Sequence, residues 1–548
     1  MGRFINRLRT IAGNDASWPV IVQRLAFYSY HKLKYGKLFR KLFFRPANES
    51  YESYIRKRED QYRETDNNHF NCKLAIIIIG DDRGQIRTTL DSFNGQGKSI
   101  AVYTTADLQE DGIKHLSPAE DVHSRVAEEY IFALNAGDRV TPHFIPVICN
   151  ALNQSPLASV WYPDTDHVSP SGGRQKPEHH PDWSPDYFNN TGYIHYALVR
   201  KPFIPALLPA SAPLFTIASV FNAAENKAAI AHIPEIIVTA ARKEAIAPDL
   251  MLEHVKRDIP GSVLLEEQKT ISRIAYPVTN DPLISIIIPT RNRSELVRQC
   301  INSVISKSTY TRYEIILVDN RSTEPALGQL IDTYSSQLGD RFIHCIADIE
   351  FNFSALINMG RSKSKGELLV LLNNDVEIIT PGWLELMAGY ALKDHMACVG
   401  AKLLYPDSSV QHAGIVLNKE MISRHIHLAS PRYGTSYQNA LNTVRNYAAV
   451  TAACLMVSRA KFDEVHGFNE RFRVEYNDID FCLRLLKKDY YNVYLPFVEL
   501  YHYESASRRH PHSSRSSLQQ YNKERLLFTE TWSAVIANDP FNTFDKPV

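Results

Sequence analysis

The strongest constraint on this chain is Leu368-Leu369-Val370-Leu371-Leu372, an apolar run that passes directly into Asn373-Asn374-Asp375-Val376-Glu377. Consecutive apolar residues without alternation read as a strand buried on both faces, the pattern of a parallel sheet covered by helices. Ligands of open α/β sheets sit just beyond the carboxyl ends of such strands. A carboxylate placed there can hold a divalent cation against phosphate oxygens. The competing reading is structural, a strand followed by an Asn/Asp turn. The sequence around the run decides between the two.

A chain of 548 residues is too long for one hydrophobic core, so two or three domains are expected. The net charge of +1 gives no polyelectrolyte character and no indication of a nucleic-acid partner. Seven cysteines are scattered without a CxxC pair, which argues against a zinc site or disulfide framework and suits a reducing compartment. No window approaches the length of a membrane span, and the N-terminus lacks the uninterrupted apolar core of a signal peptide. Residues 1–45 are nevertheless strongly basic, with aromatic and aliphatic residues interleaved, as in Lys37-Leu38-Phe39-Arg40-Lys41. A basic amphipathic helix on an anionic membrane surface has this pattern, and so does a helix docked on the protein's own core.

The expected organisation is a basic helical region at 1–70, an α/β domain at 71–270, a second α/β domain at 281–510, and a C-terminal helix and tail at 511–548. The two α/β regions open alike, with Leu74-Ala75-Ile76-Ile77-Ile78-Ile79 and Leu283-Ile284-Ser285-Ile286-Ile287-Ile288. Such repetition points to a duplicated unit. In the second region strands at 284–288, 314–318, 342–347 and 368–372 alternate with helices at 294–306, 325–337 and 353–363. That alternation is the signature of a nucleotide-binding parallel sheet. Ser294 is expected to cap its helix. No glycine-rich dinucleotide motif follows the first strand and no P-loop motif occurs, so those two classes are poor fits.

Four polar motifs close successive elements: Pro289-Thr290-Arg291-Asn292, Asp319-Asn320-Arg321-Ser322, Asn373-Asn374-Asp375 and Asn477-Asp478-Ile479-Asp480. In this order they resemble a family-2 glycosyltransferase of the GT-A fold. Phe353-Ser354 with Asn358, Gln411-His412-Ala413-Gly414, and His502-Tyr503-Glu504-Ser505 resemble the branch of bacterial rhamnosyltransferases and O-antigen or capsule enzymes. The resemblance implies an α/β fold with a mostly parallel central sheet and a nucleotide-diphosphate sugar as donor. It also implies Mg²⁺ or Mn²⁺, and a glycan or lipid-linked oligosaccharide as acceptor. A cytoplasmic location follows, with peripheral contact at the inner face of an anionic membrane compatible with the basic N-terminus.

Under this resemblance Asp319 contacts the nucleoside, where a carboxylate suits base N–H or ribose hydroxyl donors. Pro289, Thr290 and Arg291 line that pocket, and Asn320, Asn358, Asn373 and Asn374 belong to the donor site. Asp375 is the principal metal ligand. Asn373 stands where the family has the first Asp of an Asp-x-Asp motif; its carbonyl can still coordinate, with one negative charge fewer. His502 is a further metal or diphosphate ligand, or else a packed histidine between Tyr501 and Tyr503. The general base stays open among Glu475, Asp478 and Asp480, because Asn477 replaces the usual Glu. The structural alternative is that Asp478 and Asp480 only cap a helix. Arg508 and Arg509 grip an anion or form a solvated loop. A single carboxylate base with direct attack at the anomeric carbon gives inversion.

Residues 71–240 resemble a damaged second copy. Asn135-Ala136-Gly137-Asp138 reads as a metal motif reduced to one carboxylate, and too little chain separates Ile79 from Tyr130 for the usual nucleotide-site strands and helices. The region is expected to be an inactive, degenerate GT-A-like domain that binds acceptor or braces its neighbour. Its rival is a divergent second site built on Asp138, Asp164 and Asp166. For the chain as a whole, the alternative to a transferase is a non-catalytic glycan- or nucleotide-binding scaffold.

Overall fold

The computed structural model describes residues 51–63, 73–96, 100–108, 110–268, 271–503 and 515–546. The basic stretch 1–45 and the arginines at 508 and 509 lie outside the described residues. The chain forms two compact units, one of residues 51–260 with 543–546 and one built mainly of residues 273–542.

In the N-terminal unit β1 (Leu74–Ile79), β2 (Ile100–Thr104), β3 (Ile113–His115), β4 (Tyr130–Asn135), β5 (Arg139–Val140), β6 (Ala158–Val168), β7 (Arg174–Glu178), β8 (Leu198–Arg200) and β9 (Ala229–Ala240) make one sheet. Its order is β3-β2-β1-β4-β8-β6-β9-β5, with β7 beside β6. A two-stranded ribbon follows, β10 (Val263–Gln268) and β11 (Ile271–Ala275).

The main sheet of the C-terminal unit contains β12 (Ile284–Thr290), β13 (Tyr313–Asp319), β14 (Phe342–Ile346), β15 (Leu368–Leu372), β16 (Val376–Ile378), β17 (Met396–Leu404) and β18 (Val410–His412). A separate hairpin pairs β19 (Ile415–Asn418) with β20 (Ile422–His425). The main sheet is completed by β21 (Arg445–Tyr447), β22 (Cys454–Ser458) and β23 (Tyr491–His502). Its order is β14-β13-β12-β15-β22-β17-β23-β16, with β18 beside β17. Pairing is parallel from β14 through β15 and mixed beyond.

Apart from β21, which lies beside β23 and has no counterpart, this is strand for strand the order and the sense of pairing found in the first unit. The duplication suggested by the two opening strands is therefore present in three dimensions. The short segment between Ile79 and Tyr130 keeps all its strands, contrary to expectation. What it loses is helix: none of the described residues between β2 and β3 is helical, and Val122–Arg125 stands where the C-terminal unit has Phe353–Lys363. A strand can shorten and stay paired to its neighbour, whereas a helix cut below two turns has little face left to bury.

All of Leu368–Leu372 is buried, as the unbroken apolar run requires. The helix Ser294–Lys307 starts one residue earlier than a serine cap would place it. Asn292 and Arg293 are both left-handed (φ 56° and 62°), and Ser294 is the first helical residue. Its N–H and hydroxyl are bound by the Glu324 carboxylate at 3.1 and 2.8 Å, so the neighbouring loop supplies the cap. The C-terminal helix Arg515–Ala537 packs Phe528, Trp532 and Ile536 into the core with Phe472, Ile479 and Phe481. Beyond it, Asp539 accepts from the Leu417 N–H at 2.7 Å and Asn542 donates to the Leu417 carbonyl at 3.0 Å. Among the described residues no helix is long and apolar enough to cross a membrane.

The helix Phe353–Lys363 lies so close to β12 and β13 that a Cβ on Gly360 would stand 2.4 Å from Ile287 Cγ2 and 3.0 Å from Val318 Cγ2. Both neighbours are fully buried strand residues with nowhere to move. Gly360→Ala is expected to cost about 1–3 kcal/mol through overpacking, read as a lower urea midpoint for the C-terminal unit.

Candidate active site

The carboxyl ends of β12, β13 and β15 are tied to one another by polar groups. The Asn374 amide donates to the Thr290 hydroxyl at 2.8 Å, and the Asn320 N–H donates to the Thr290 carbonyl at 2.8 Å. Thr290 faces Asp319 in the parallel register. Asp319 accepts from the Ser322 N–H at 3.0 Å and lies 3.4 Å from His344 Nε2. Burial acts to raise its carboxyl pKa, but His344 and Ser322 outweigh that and hold it below the ordinary carboxylate value. The Asn292 side chain accepts from the N–H groups of Thr323 and Glu324, bracing the loop after β12 against the loop after β13.

Asn320 has a different environment from the one the sequence suggests. It is buried, and its amide donates to the carbonyls of Ala347 (3.0 Å) and Ile349 (2.8 Å), joining the end of β13 to the segment after β14. Asn358 likewise turns to protein: its amide donates to the Phe468 carbonyl (2.9 Å) and Glu470 (3.0 Å), and its oxygen accepts from the Phe468 N–H (2.9 Å). Pro289 is half-buried and Arg291 is exposed.

A second cluster forms where β16 pairs with β23. Val376 faces His502, and the Tyr503 N–H donates to the Asp375 carbonyl at 2.8 Å. His502 Nε2 thereby lies 3.1 Å from Asp375 Oδ1 and 3.3 Å from the Asn373 amide nitrogen. The other ring nitrogen, Nδ1, is 2.6 Å from Gln411 Oε1, an acceptor. With Nδ1 donating to Gln411, Nε2 is the lone-pair nitrogen of the neutral imidazole, and it lies beside Asp375. An imidazole oriented through its far nitrogen, with its lone pair beside a carboxylate oxygen, suits a divalent cation. Among the described residues no three His, Cys, Asp or Glu side chains converge on one point, so a cation here would draw further ligands from Asn373 or phosphate oxygens.

Gln411 and His412 belong to the motif read from the sequence. His412 is fully buried and 3.1 Å from His425; burial first, then the His425 and His502 rings, holds its pKa well below the usual histidine value. The motif ends at Gly414 because φ there is +110° and a Cβ would lie 2.4 Å from the Tyr447 ring.

The segment Thr451–Ala453 links these clusters to the acidic helix. Ala453 accepts from the Asn373 N–H at 3.0 Å, and the Ala452 N–H donates to Asp478 Oδ2 at 3.1 Å. Asp478, at the start of the helix Asn477–Leu486, is half-buried. Asp480 is fully committed elsewhere: it is 1% exposed, Arg484 Nε donates to one oxygen at 2.8 Å and Trp532 Nε1 to the other at 3.0 Å. Both oxygens of Asp480 thus serve the helix packing, and of the three acids only Glu475 and Asp478 keep any exposure. Sequence reasoning passed over Gln411 Oε1 as an orienting group, Trp532 as the partner of Asp480, and Glu524, which accepts from the N–H groups of Arg473, Val474 and Glu475. A buried acid in the apolar face of the last helix was the available signal.

The matching sheets allow the N-terminal unit to be compared position by position. Tyr130 faces Leu74 as Leu368 faces Ile284, and Val140 faces Val238 as Ile378 faces Leu500. Carrying the register along puts Asn135 at the position of Asn373, Gly137 at Asp375, Ala240 at His502 and Ala106 at Asp319. Asp138 then corresponds to Val376, so it is not the carboxylate of a reduced metal motif. It is fully buried and accepts from the Asn135 N–H (2.8 Å), Ala241 N–H (2.8 Å) and Tyr196 hydroxyl (2.9 Å). Burial raises its pKa to about 6 despite those donors. Asp164 is bound by His179 (2.8 Å), His232 (2.9 Å) and Lys546 (3.1 Å), and Asp166 by Arg174 (2.6 Å) and the Tyr51 hydroxyl.

Residues 285–465 match the family described as glycosyl transferase family 2. An uncharacterized protein, y4gI, of Sinorhizobium fredii is 33% identical over 72% of this chain and 46% of its own length. The O-antigen biosynthesis protein RfbC of Myxococcus xanthus is 30% identical over 70% of this chain and 31% of its own. An N-acetylglucosaminyl-diphospho-decaprenol L-rhamnosyltransferase of Mycobacterium tuberculosis is 34% identical over 14% of this chain and 25% of its own. The chain spans less than half the length of these relatives. The matched residues run from β12 through β22 and include Asp319, Asn373, Asp375 and Gln411. The C-terminal α/β unit of this chain thus carries a glycosyltransferase domain of family 2.

Proposed function

We propose that the C-terminal unit is an inverting, metal-dependent glycosyltransferase. It moves a sugar from a nucleotide-diphosphate donor to a growing bacterial surface polysaccharide at the cytoplasmic side of the membrane. The observation that carries this reading is the His502–Asp375 pair, with the Gln411 side chain orienting the imidazole through Nδ1 so that Nε2 lies beside the carboxylate. The name of the mycobacterial relative makes dTDP-rhamnose the first donor to try.

Asp319, held ionised, accepts hydrogen bonds from the nucleoside, beside Pro289, Thr290 and Arg291. Asn320 and Asn374 keep the strand ends at fixed spacing. Mg²⁺ or Mn²⁺ held by Asp375 and His502, with Asn373 beside them, would supply positive charge to the leaving diphosphate. Asp478 takes the proton of the acceptor hydroxyl as its oxygen bonds to the anomeric carbon and the bond to the diphosphate breaks, which inverts that carbon. Glu475 is the alternative base. The N-terminal unit takes no part in transfer on this reading, since alanine and glycine occupy the positions of Asp319, Asp375 and His502.

The deciding experiment is a panel of dTDP-, UDP- and GDP-sugars with Mn²⁺ or Mg²⁺, scored by release of nucleoside diphosphate and by transfer. Turnover that requires metal and disappears in Asp375→Ala supports the enzyme; nucleotide binding that is indifferent to metal and to Asp375→Ala, without turnover, supports a scaffold. Gln411→Ala should weaken Mn²⁺ affinity about 10–100-fold, measured as the metal concentration for half-maximal turnover. Asp478→Asn should lower kcat by about 10²–10⁴-fold with an unchanged melting temperature. Asp480→Ala should instead destabilise the unit by about 3–5 kcal/mol, because Arg484 and Trp532 lose their buried acceptor; a melting temperature equal to that of wild type would refute this assignment.

A further inference from the structure

The helix Arg515–Ala537 lies beyond the residues that match the family, yet it grips the segment that presents the candidate base. Glu524 on this helix is 1% exposed. Its carboxylate accepts three successive backbone N–H groups, Arg473 at 2.9 Å, Val474 at 3.3 Å and Glu475 at 2.6 Å. Gln520, one turn earlier, donates to the same carboxylate. The next residue of the segment, Tyr476, is in the left-handed region (φ 59°), and its ring stacks on Phe528 at 4.6 Å. Two residues further on is Asp478.

A buried carboxylate is costly unless donors surround it, and docking a helix does not call for one. Phe528, Trp532 and Ile536 already provide apolar contact. What the carboxylate adds is direction. Three consecutive N–H groups can converge on one anion in only a narrow range of backbone conformations, so the acid selects the shape of 473–475. That shape, with the strained Tyr476, sets where the helix Asn477–Leu486 begins and therefore where Asp478 points.

We propose that Glu524 is a positioning residue for sugar transfer, fixing from the C-terminal helix the backbone that carries Glu475 and Asp478. The inference rests on the reading of Asp478 or Glu475 as the base. Full-length Glu524→Gln keeps the size of the side chain but turns one acceptor into a donor facing an N–H. Amide exchange at 473–475 should accelerate, while Mn²⁺-dependent binding of dTDP-rhamnose and the donor KM stay at wild-type values. At the same time kcat should fall by about 10²-fold. Leu526→Ala, on the exposed face of the same helix, should change none of these. Gln520→Ala, which removes one donor to the carboxylate and leaves Glu524 in place, should give a smaller loss of kcat and serves if Glu524→Gln does not fold. Faster exchange at 473–475 with unchanged kcat in either variant overturns the proposal, as does a proportional loss of donor binding. Absence of turnover in the wild-type chain across the whole nucleotide-sugar panel overturns the underlying reading instead.

Discussion

The candidate site depends on one antiparallel pairing, β16 against β23. It brings His502 opposite Val376 and locks the turn after β15 through the Tyr503 N–H on the Asp375 carbonyl. The side chains of Asp375, Asn373 and His502 then share one small volume, although 126 residues of chain separate Asp375 from His502. A slip of one residue in that ladder would turn His502 to the other face. The register is therefore as much a part of the site as the residues themselves, and Gln411, from β18, completes it by choosing the tautomer.

The N-terminal unit shows how far the architecture and the chemistry separate. It keeps the order of the strands, the sense of pairing and the register, yet the positions of Asp319, Asp375 and His502 are taken by Ala106, Gly137 and Ala240. Its buried Asp164 and Asp166 are bound by fixed partners within the same unit. The backbone of this fold is stabilised by its ladders and its apolar faces, neither of which needs the site. Buried charge illustrates the same independence. In matching stretches of β17 and β6, one unit buries Lys402 against Glu499 and the other buries Asp164 against His179 and His232. The sign is reversed and the strand arrangement is unchanged, because what the interior requires is that a charge be paired, not which sign it carries.

The acidic helix shows why neighbours in sequence do not share a role. Asp478 and Asp480 are two positions apart, which on a helix places them on different faces. One faces the segment Thr451–Ala453 and keeps some exposure. The other turns inward to Arg484 and Trp532. The helix period forces the separation, but only the position of the C-terminal helix determines which of the two becomes structural.

The sequence by itself determined the elements and their type, since unbroken apolar runs and helical periodicity are local properties that tertiary packing reinforced. It also determined the order of the polar motifs, the duplication heralded by the two opening strands, and the residue types at the candidate site, including Asp319, Asp375 and His502. Tertiary structure decided which polar residues meet. Asn320 and Asn358 looked like ligand-binding residues and are instead bound to backbone carbonyls, because an amide beside a strand end satisfies whichever carbonyls packing leaves unpaired. Ser294 gave up its capping role to Glu324 from the adjacent loop. Asp138 moved off the position of Asp375 once the ladders fixed its register. Glu524 and Trp532 are distant in the chain from the groups they hold and carry no motif, so only the docking of the last helix could reveal them. Propensity and pattern act over a few residues, whereas a site is a set of directions in space, and directions are fixed by sheet register and helix packing across the whole unit.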